Sequence, residues 1–271
     1  MYFDFEYADK RLSDFGFIMC HINTDAGIND VELGCDITFN TVKNSNSSIQ
    51  SITSTTYDNV YTTEFEIMKN PCKDGDIYMS AVEARHLIKW LNRREYAKFK
   101  VINDISDESD VYYYGSFNVK QVQIGDKILG LNLTFTANAP YGFSGPNHLK
   151  FMLLKYNNTF EIDAESDEVG IIYPTVSIKM FYDNDITITN TVTQTSVVVK
   201  GCKANEIITI DGENRIISTD NDDHKSTLPN DFNYEYLDIL VDYDNSVNTY
   251  TVSAQCEVSI SYSPIRKVGV I

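Results

Sequence analysis

SAVEARHLIKWLNRR (residues 80–94) and GLNLTFTANAPYGFS (residues 130–144) bracket the segment that decides the fold: one helix that runs into strands. Ser80 and Glu83 have the spacing of a capping box, in which hydroxyl and carboxylate satisfy amides that the first helical turn leaves without partners. Ala84, Leu87, Ile88 and Leu91 then fall on one face at helical period. Beyond the helix, Leu131, Leu133 and Phe135 alternate with Asn132, Thr134 and Thr136, the period of a half-buried strand, and Pro140 and Gly142 end it.

Working outward, the first half carries strand patterns over 15–22, 34–40, 60–68, 98–103, 111–119 and 128–136, with the helix after the third, an α+β order. Thr41 to Thr56 is rich in Ser, Asn and Thr and reads as a long exposed loop or arm that orders only against a neighbour. Pro140, Gly142, Gly145 and Pro146 crowd together where a boundary is expected, giving domains over 1–145 and 146–263. Strands are expected near 149–154, 171–181, 185–190, 196–200, 206–210, 214–218, 236–242 and 250–262, the spacing of an antiparallel sandwich. Asp211-Gly212 marks a hairpin connection in which Gly would supply a positive φ. Residues 264–271, opening on Pro264, would return to complete the first domain as an added strand.

Composition narrows the function. A chain of 271 residues with 42% hydrophobic residues is foldable, and no apolar run reaches the roughly 20 residues that cross a bilayer, so no membrane insertion is expected. MYFDFEYADKRL lacks the basic start and apolar core of a secretory signal, which suits assembly inside a cell. The net charge of −17, with both halves acidic, opposes binding to a phosphate backbone. Cys20, Cys35, Cys72, Cys202 and Cys256 form no C-x-x-C pair and read as buried, reduced thiols; Cys256 shares a strand face with Val252, Ala254, Val258, Ile260 and Tyr262.

No catalytic constellation emerges. The chain has four histidines, His21, His86, His148 and His224, and no G-x-S-x-G or H-E-x-x-H run. Cys20 and His21 are adjacent on a strand and so point to opposite faces. Asp220, Asp222, Asp223 and His224 have poor calcium-loop spacing, with Lys225 where the turn Gly belongs and Asp231 in place of the closing Glu. No catalytic residue, cofactor or metal site is assigned. Arg85, Lys89 and Arg93 recur every four residues as a basic stripe in an acidic chain, either a solvated flank or a candidate assembly interface to acidic residues of a neighbour.

The helix Glu83–Arg94, the run Leu131–Ser144, the early Ser13-Asp14-Phe15-Gly16 behind an aromatic amino terminus and, more weakly, LPNDFNYEYLDILVDY (228–243) resemble the distal tail protein family of long-tailed, siphovirus-type bacteriophages. The resemblance implies a mainly β fold with one principal helix: an α+β ring-forming belt domain followed by a galectin-like antiparallel β-sandwich. It also implies a structural virion role at the tail tip, not an enzyme: a homohexamer joining the tail tube protein to tail-associated proteins and the receptor-binding apparatus, with DNA passing through its lumen without specific binding. Six such chains would carry about 100 negative charges, repulsive to DNA. The alternative is an adaptor that binds host cell-wall polysaccharide. Galectins hold galactosides with a stacking Trp and His, Asn, Arg and Glu groups, whereas here the one Trp is Trp90 on the first-domain helix and only Arg215 and Arg266 follow residue 145.

Overall fold

The computed structural model describes residues 4–20, 35–43, 45, 48–102 and 111–267. The chain forms two compact units, Met1–Ser144 together with the chain from Arg266, and Gly145–Ile265. It is mostly β-structure.

The first unit contains β1 (Asp4–Tyr7), β2 (Lys10–Arg11), β3 (Phe17–Cys20), β4 (Ile37–Lys43), β5 (Gln50–Tyr57), β6 (Thr62–Lys69), α1 (Pro71–Asp74), α2 (Ala81–Leu91), β7 (Ala97–Ile102), β8 (Tyr113–Ile124), β9 (Lys127–Ala137) and β10 (Gly142–Phe143). Seven strands make one antiparallel sheet in the order β2-β1-β7-β8-β9-β6-β3. Its edge strands, β2 and β3, are joined only by a short 3-10 turn, Leu12–Phe15, and Gly16. Flat, seven strands would separate those edges by roughly 29 Å. Six peptide steps reach at most about 22 Å, so the sheet must curl on itself.

Aromatic side chains fill the curl. Phe5 stacks on Trp90 at 5.7 Å and meets Phe65 and Phe99 edge-on at 5.5 and 5.6 Å. Trp90 also stacks on Phe15 at 4.5 Å, and its indole N–H donates to the Tyr7 carbonyl at 2.9 Å. Helix α2 therefore buries Ala84, Leu87, Trp90 and Leu91, with Ile88 half-buried. Gly115 leaves β8 close to β9: a Cβ there would lie 2.4 Å from both the Phe135 ring and the Thr136 carbonyl.

The α2 cap has the expected geometry. The Glu83 amide donates to Ser80 Oγ at 3.2 Å, and the Ser80 amide donates to Glu83 Oε2 at 2.8 Å. The bonds from the Ser80 hydroxyl and amide, with Lys69 at 3.1 Å, hold the Glu83 carboxyl below its ordinary range. The resulting stability is present above the unfolded carboxylate value, about 4.3, and is lost as pH falls through the depressed value. Ser80→Ala should cost about 1 kcal/mol at neutral pH, measured by urea unfolding, and the gap between variant and wild type should narrow in acid; a pH-independent gap would show that the carboxylate takes no part.

One expectation requires correction here. The polar run Thr41–Thr56 belongs to a hairpin rather than a loop: β4 and β5 pair from Ile37↔Tyr57 to Lys43↔Gln50, with a bulge after Asn40. Threonine suits a pleated strand even where hydrophobicity is low, and Asn40–Ser54 and Thr41–Gln50 side-chain bonds cross the ladder. The amino terminus forms strand β1, whose Phe5 and Tyr7 are buried.

The second unit contains β11 (Asn147–Leu153), β12 (Thr159–Asp163), β13 (Gly170–Ile172), β14 (Thr175–Met180), β15 (Asn184–Asn190), β16 (Ser196–Cys202), β17 (Ile207–Asp211), β18 (Ile216–Thr219), single-turn helices α3 (Asp222–Lys225) and α4 (Leu228–Asp231), β19 (Ile239–Val241), β20 (Val247–Val252) and β21 (Cys256–Tyr262). Sheets β11-β21-β14-β17-β18 and β12-β20-β15-β16, with the β13-β19 pair, share one core that includes Ile178, Ile188, Val199, Ile208, Tyr250 and Val258. This is an antiparallel sandwich. The expected strand 171–181 breaks before Pro174, which has no N–H for a ladder, and the expected strand 250–262 breaks at a turn around Ser253-Ala254. At the β17–β18 connection the positive φ lies at Arg215, 60°, and not at Gly212. Gly212 serves close approach instead: a Cβ would sit 2.7 Å from the Pro174 carbonyl. Ile265–Arg266 is a short strand, and the expected return over 268–271 lies outside the described residues.

Candidate assembly interface

Helix α2 presents its outer side to solvent. Val82 is 60% exposed, and Arg85, His86 and Lys89 are exposed beside it. Neither Arg85 nor Lys89 makes an ion pair among the described residues, so both charges are available to a neighbour. Arg93 is different. The helix ends at Leu91 with Asn92 as its cap, and Arg93 folds back: Nε donates to the Trp90 carbonyl at 3.1 Å, an Nη meets Glu95 at 3.3 Å, and the guanidinium lies 5.9 Å from the Tyr7 ring. It satisfies a carbonyl of the last turn, where a cation is favoured. The structure thus leaves Arg85 and Lys89 without an ion pair among the described residues and engages Arg93 within its own chain, although Arg93 still lines a shallow depression with Lys89, Asn92, Arg94 and Glu95.

Hairpin β4–β5 offers a second surface, within the segment the sequence marks as an exposed arm. Hairpin β4–β5 is exposed on both faces, and it displays Ile37, Phe39, Val42, Ile49 and Ile52 at 45–75% exposure. A two-stranded hairpin is marginal alone in water, and exposed apolar side chains of this size mark a contact surface. The signal was present in the alternation of Ile37 and Phe39 with Thr38 and Asn40, hidden by the Ser/Thr/Asn composition around it.

Burial pushes the Cys20, Cys202 and Cys256 thiols up to about 12, with Glu66 beside Cys20 and Glu206 beside Cys202 adding to the effect, which suppresses the reactive thiolate. Contrary to a wholly buried set, Cys72 is exposed and Cys20 and Cys35 are half-buried; Cys202 and Cys256 are buried as expected. His21 lies outside the described residues. His224 turns away from Asp220, Asp222 and Asp223 into the sandwich, where Nδ1 lies 2.5 Å from buried Glu206. Asp220 instead accepts from the Ile207 amide, and Asp222 pairs with Lys225 at 2.5 Å. No described group of three or more His, Cys, Asp or Glu side chains is arranged around a common metal position. No helix among the described residues is long and apolar enough to cross a membrane.

Residues 1–139 match the family model for the phage tail protein N-terminal domain, and residues 141–262 match that for the phage tail C-terminal domain. No curated protein matches the chain. Among solved structures, the Dit protein (gp 19.1) of phage SPP1, described as a paradigm of the hub adsorption apparatus in phages that infect Gram-positive bacteria, superposes with a TM-score of 0.65 at 13% identity, over 96% of this chain and 98% of that one. A chain of the phage p2 baseplate in its activated conformation gives a TM-score of 0.46 at 11% identity, over 96% and 97%. The SPP1 likeness shows a shared fold through both units, and the family matches settle descent: the chain belongs to the phage tail protein family, carrying its N-terminal and C-terminal domains in order.

Proposed function

We propose that the chain is a non-enzymatic distal tail hub protein, assembled in the host bacterial cytoplasm, whose first unit closes into a hexameric ring between tail tube and tail tip. In this reading residues 1–145, completed by 264–271, are the ring-forming belt, and 146–263 form an outward galectin-like domain. The observation that carries the reading is hairpin β4–β5: it exposes five large apolar side chains on an arm that two strands alone do not stabilise. A copy of the chain is the natural cover, because closed cyclic symmetry gives every arm a seat and every seat an arm. Family membership and the Dit fold support the place in the tail. The tube protein would meet one ring face, and tail-associated proteins and the receptor-binding apparatus the other. Carboxylates lining the lumen would repel DNA and let it pass.

Native mass of the concentrated protein, with negative-stain images of the same sample, tests the reading. Six-membered rings with peripheral lobes are expected; long stacked tubes would identify a tube subunit instead. The basic face of α2 would meet acidic residues of a neighbour, so Arg85→Glu with Lys89→Glu should weaken assembly about tenfold, and more at low salt. Full assembly by the doubly reversed chain would leave those residues as a solvated flank.

A further inference from the structure

One end of the sandwich carries a recess. Three connections meet there: 154–158 between β11 and β12, 181–183 between β14 and β15, and 253–255 between β20 and β21. They surround a half-open hollow of about 210 Å³ lined by Lys155, Asn158, Tyr182, Asn184 and Gln255, among others. This is below the roughly 300–1,000 Å³ of sites for drug-sized ligands, so it suits one small ring.

The walls are held in place before any ligand arrives. The Val252 amide donates to the Asn158 carbonyl at 2.8 Å, and the Phe181 amide to the Gln255 carbonyl at 3.2 Å. The Thr187 amide donates to Ser253 Oγ at 2.8 Å, and the Ser253 amide returns a bond to the Thr187 carbonyl at 2.9 Å. Such fastening removes much of the ordering cost of binding.

The lining chemistry is selective. In a chain of net charge −17 the recess has no carboxylate in its wall. The nearest by sequence, Asp183, accepts from the Ala204 amide at 2.8 Å and lies 3.7 Å from Lys203. The side-chain amides of Asn158 and Gln255 make no hydrogen bond among the described residues, and Asn184 spends only its carbonyl oxygen, on the Asp185 amide. Tyr182 stands beside them 64% exposed. Amides donate and accept at once, as a sugar hydroxyl requires, and a tyrosine face takes the C–H side of a pyranose. A peptide anchor would call for an apolar hollow, and this one is walled mainly by polar atoms.

The geometry points to a carbohydrate subsite for one pyranose ring at this end of the sandwich, with Tyr182 as its platform and Asn158, Asn184 and Gln255 as its hydrogen-bonding groups. The galectin residue set is not involved. Saturation-transfer NMR on the full chain with millimolar methyl glucoside, methyl galactoside, methyl rhamnoside and N-acetylglucosamine tests it. At least one sugar should receive saturation, and Tyr182→Ala should weaken its binding about tenfold or more without moving the thermal midpoint. Tyr243→Ala, which removes a ring that is 89% exposed and outside the recess, should leave binding unchanged. Silence from all four sugars, or equal binding by the Tyr182→Ala chain, would overturn the subsite. Rings seen in the same preparation would still stand, so the two readings fail separately.

Discussion

Phe39→Asp combined with Ile52→Asp is expected to leave both units folded and to abolish ring formation. Both side chains lie on the exposed hairpin, at 56% and 59% exposure, so the free chain loses no core contact, and its unfolding midpoint should stay within about 0.5 kcal/mol of wild type. In an assembly each apolar side chain would contribute about 1.5–3 kcal/mol when covered, so the pair removes at least about 100-fold in affinity per interface, before the cost of burying two carboxylates. Sedimentation of the concentrated protein reads the first effect. Complementation of a phage that lacks the gene reads its consequence, since on the proposed function a chain that cannot close its ring would yield tails without a hub. Assembly of the doubly substituted chain at the wild-type concentration would show that the hairpin is not the arm.

The largest expected loss of stability comes from Glu206→Ala. Glu206 is buried, and its carboxylate accepts from the Lys203 amide at 2.7 Å and Thr219 Oγ1 at 2.5 Å, with His224 Nδ1 at 2.5 Å. The His224 Nε2 atom has no hydrogen bond and lies 3.6 Å from Asp231, so the imidazole depends on Glu206 for its polar contact. Removing the carboxylate leaves two buried side-chain groups, Thr219 Oγ1 and His224 Nδ1, without their partner where water does not reach, and frees the part-buried Lys203 amide. A cost of about 3–5 kcal/mol is expected in urea unfolding, and Glu206→Gln, which keeps an acceptor oxygen, should cost distinctly less. If Glu206→Ala shifts the transition by less than about 1 kcal/mol, the cluster does not hold α3 and α4 to β17 and β18.

These two sites show what kind of information a linear pattern carries. The α2 helix was legible because its causes are local: Ser80 and Glu83 are three residues apart, and the apolar positions repeat within two turns. Strands β6, β8 and β9 were legible because alternation is local too. Glu206 and His224, by contrast, are 18 residues apart, and His224 stood in the sequence among aspartates that the fold turns away from it. Trp90 was visible only as the single Trp, although its place between Phe5 and Phe15 depends on an amino-terminal strand and a 3-10 turn meeting a helix some 80 residues later. Arg93 fitted the four-residue stripe, but a helix that stops at Leu91 directs its guanidinium back onto the Trp90 carbonyl.

The sequence by itself determined the capped helix, the alternating strands and the acidic charge, and it carried the resemblance to distal tail proteins. The helix, the strands and the charge follow from short-range periodicity or from composition, which survive without knowledge of what lies opposite, whereas the resemblance rests on particular runs of residues. Tertiary structure alone decided that 37–43 and 50–57 pair as a hairpin with exposed apolar side chains, that Arg93 folds back onto the Trp90 carbonyl while Arg85 and Lys89 make no ion pair among the described residues, and that Tyr182 lines a hollow shared with two other connections. The physical reason is that exposure and hydrogen-bond partnership are properties of the folded surface: the same Ile or Glu is core, interface or cap according to residues that the chain brings beside it from far away.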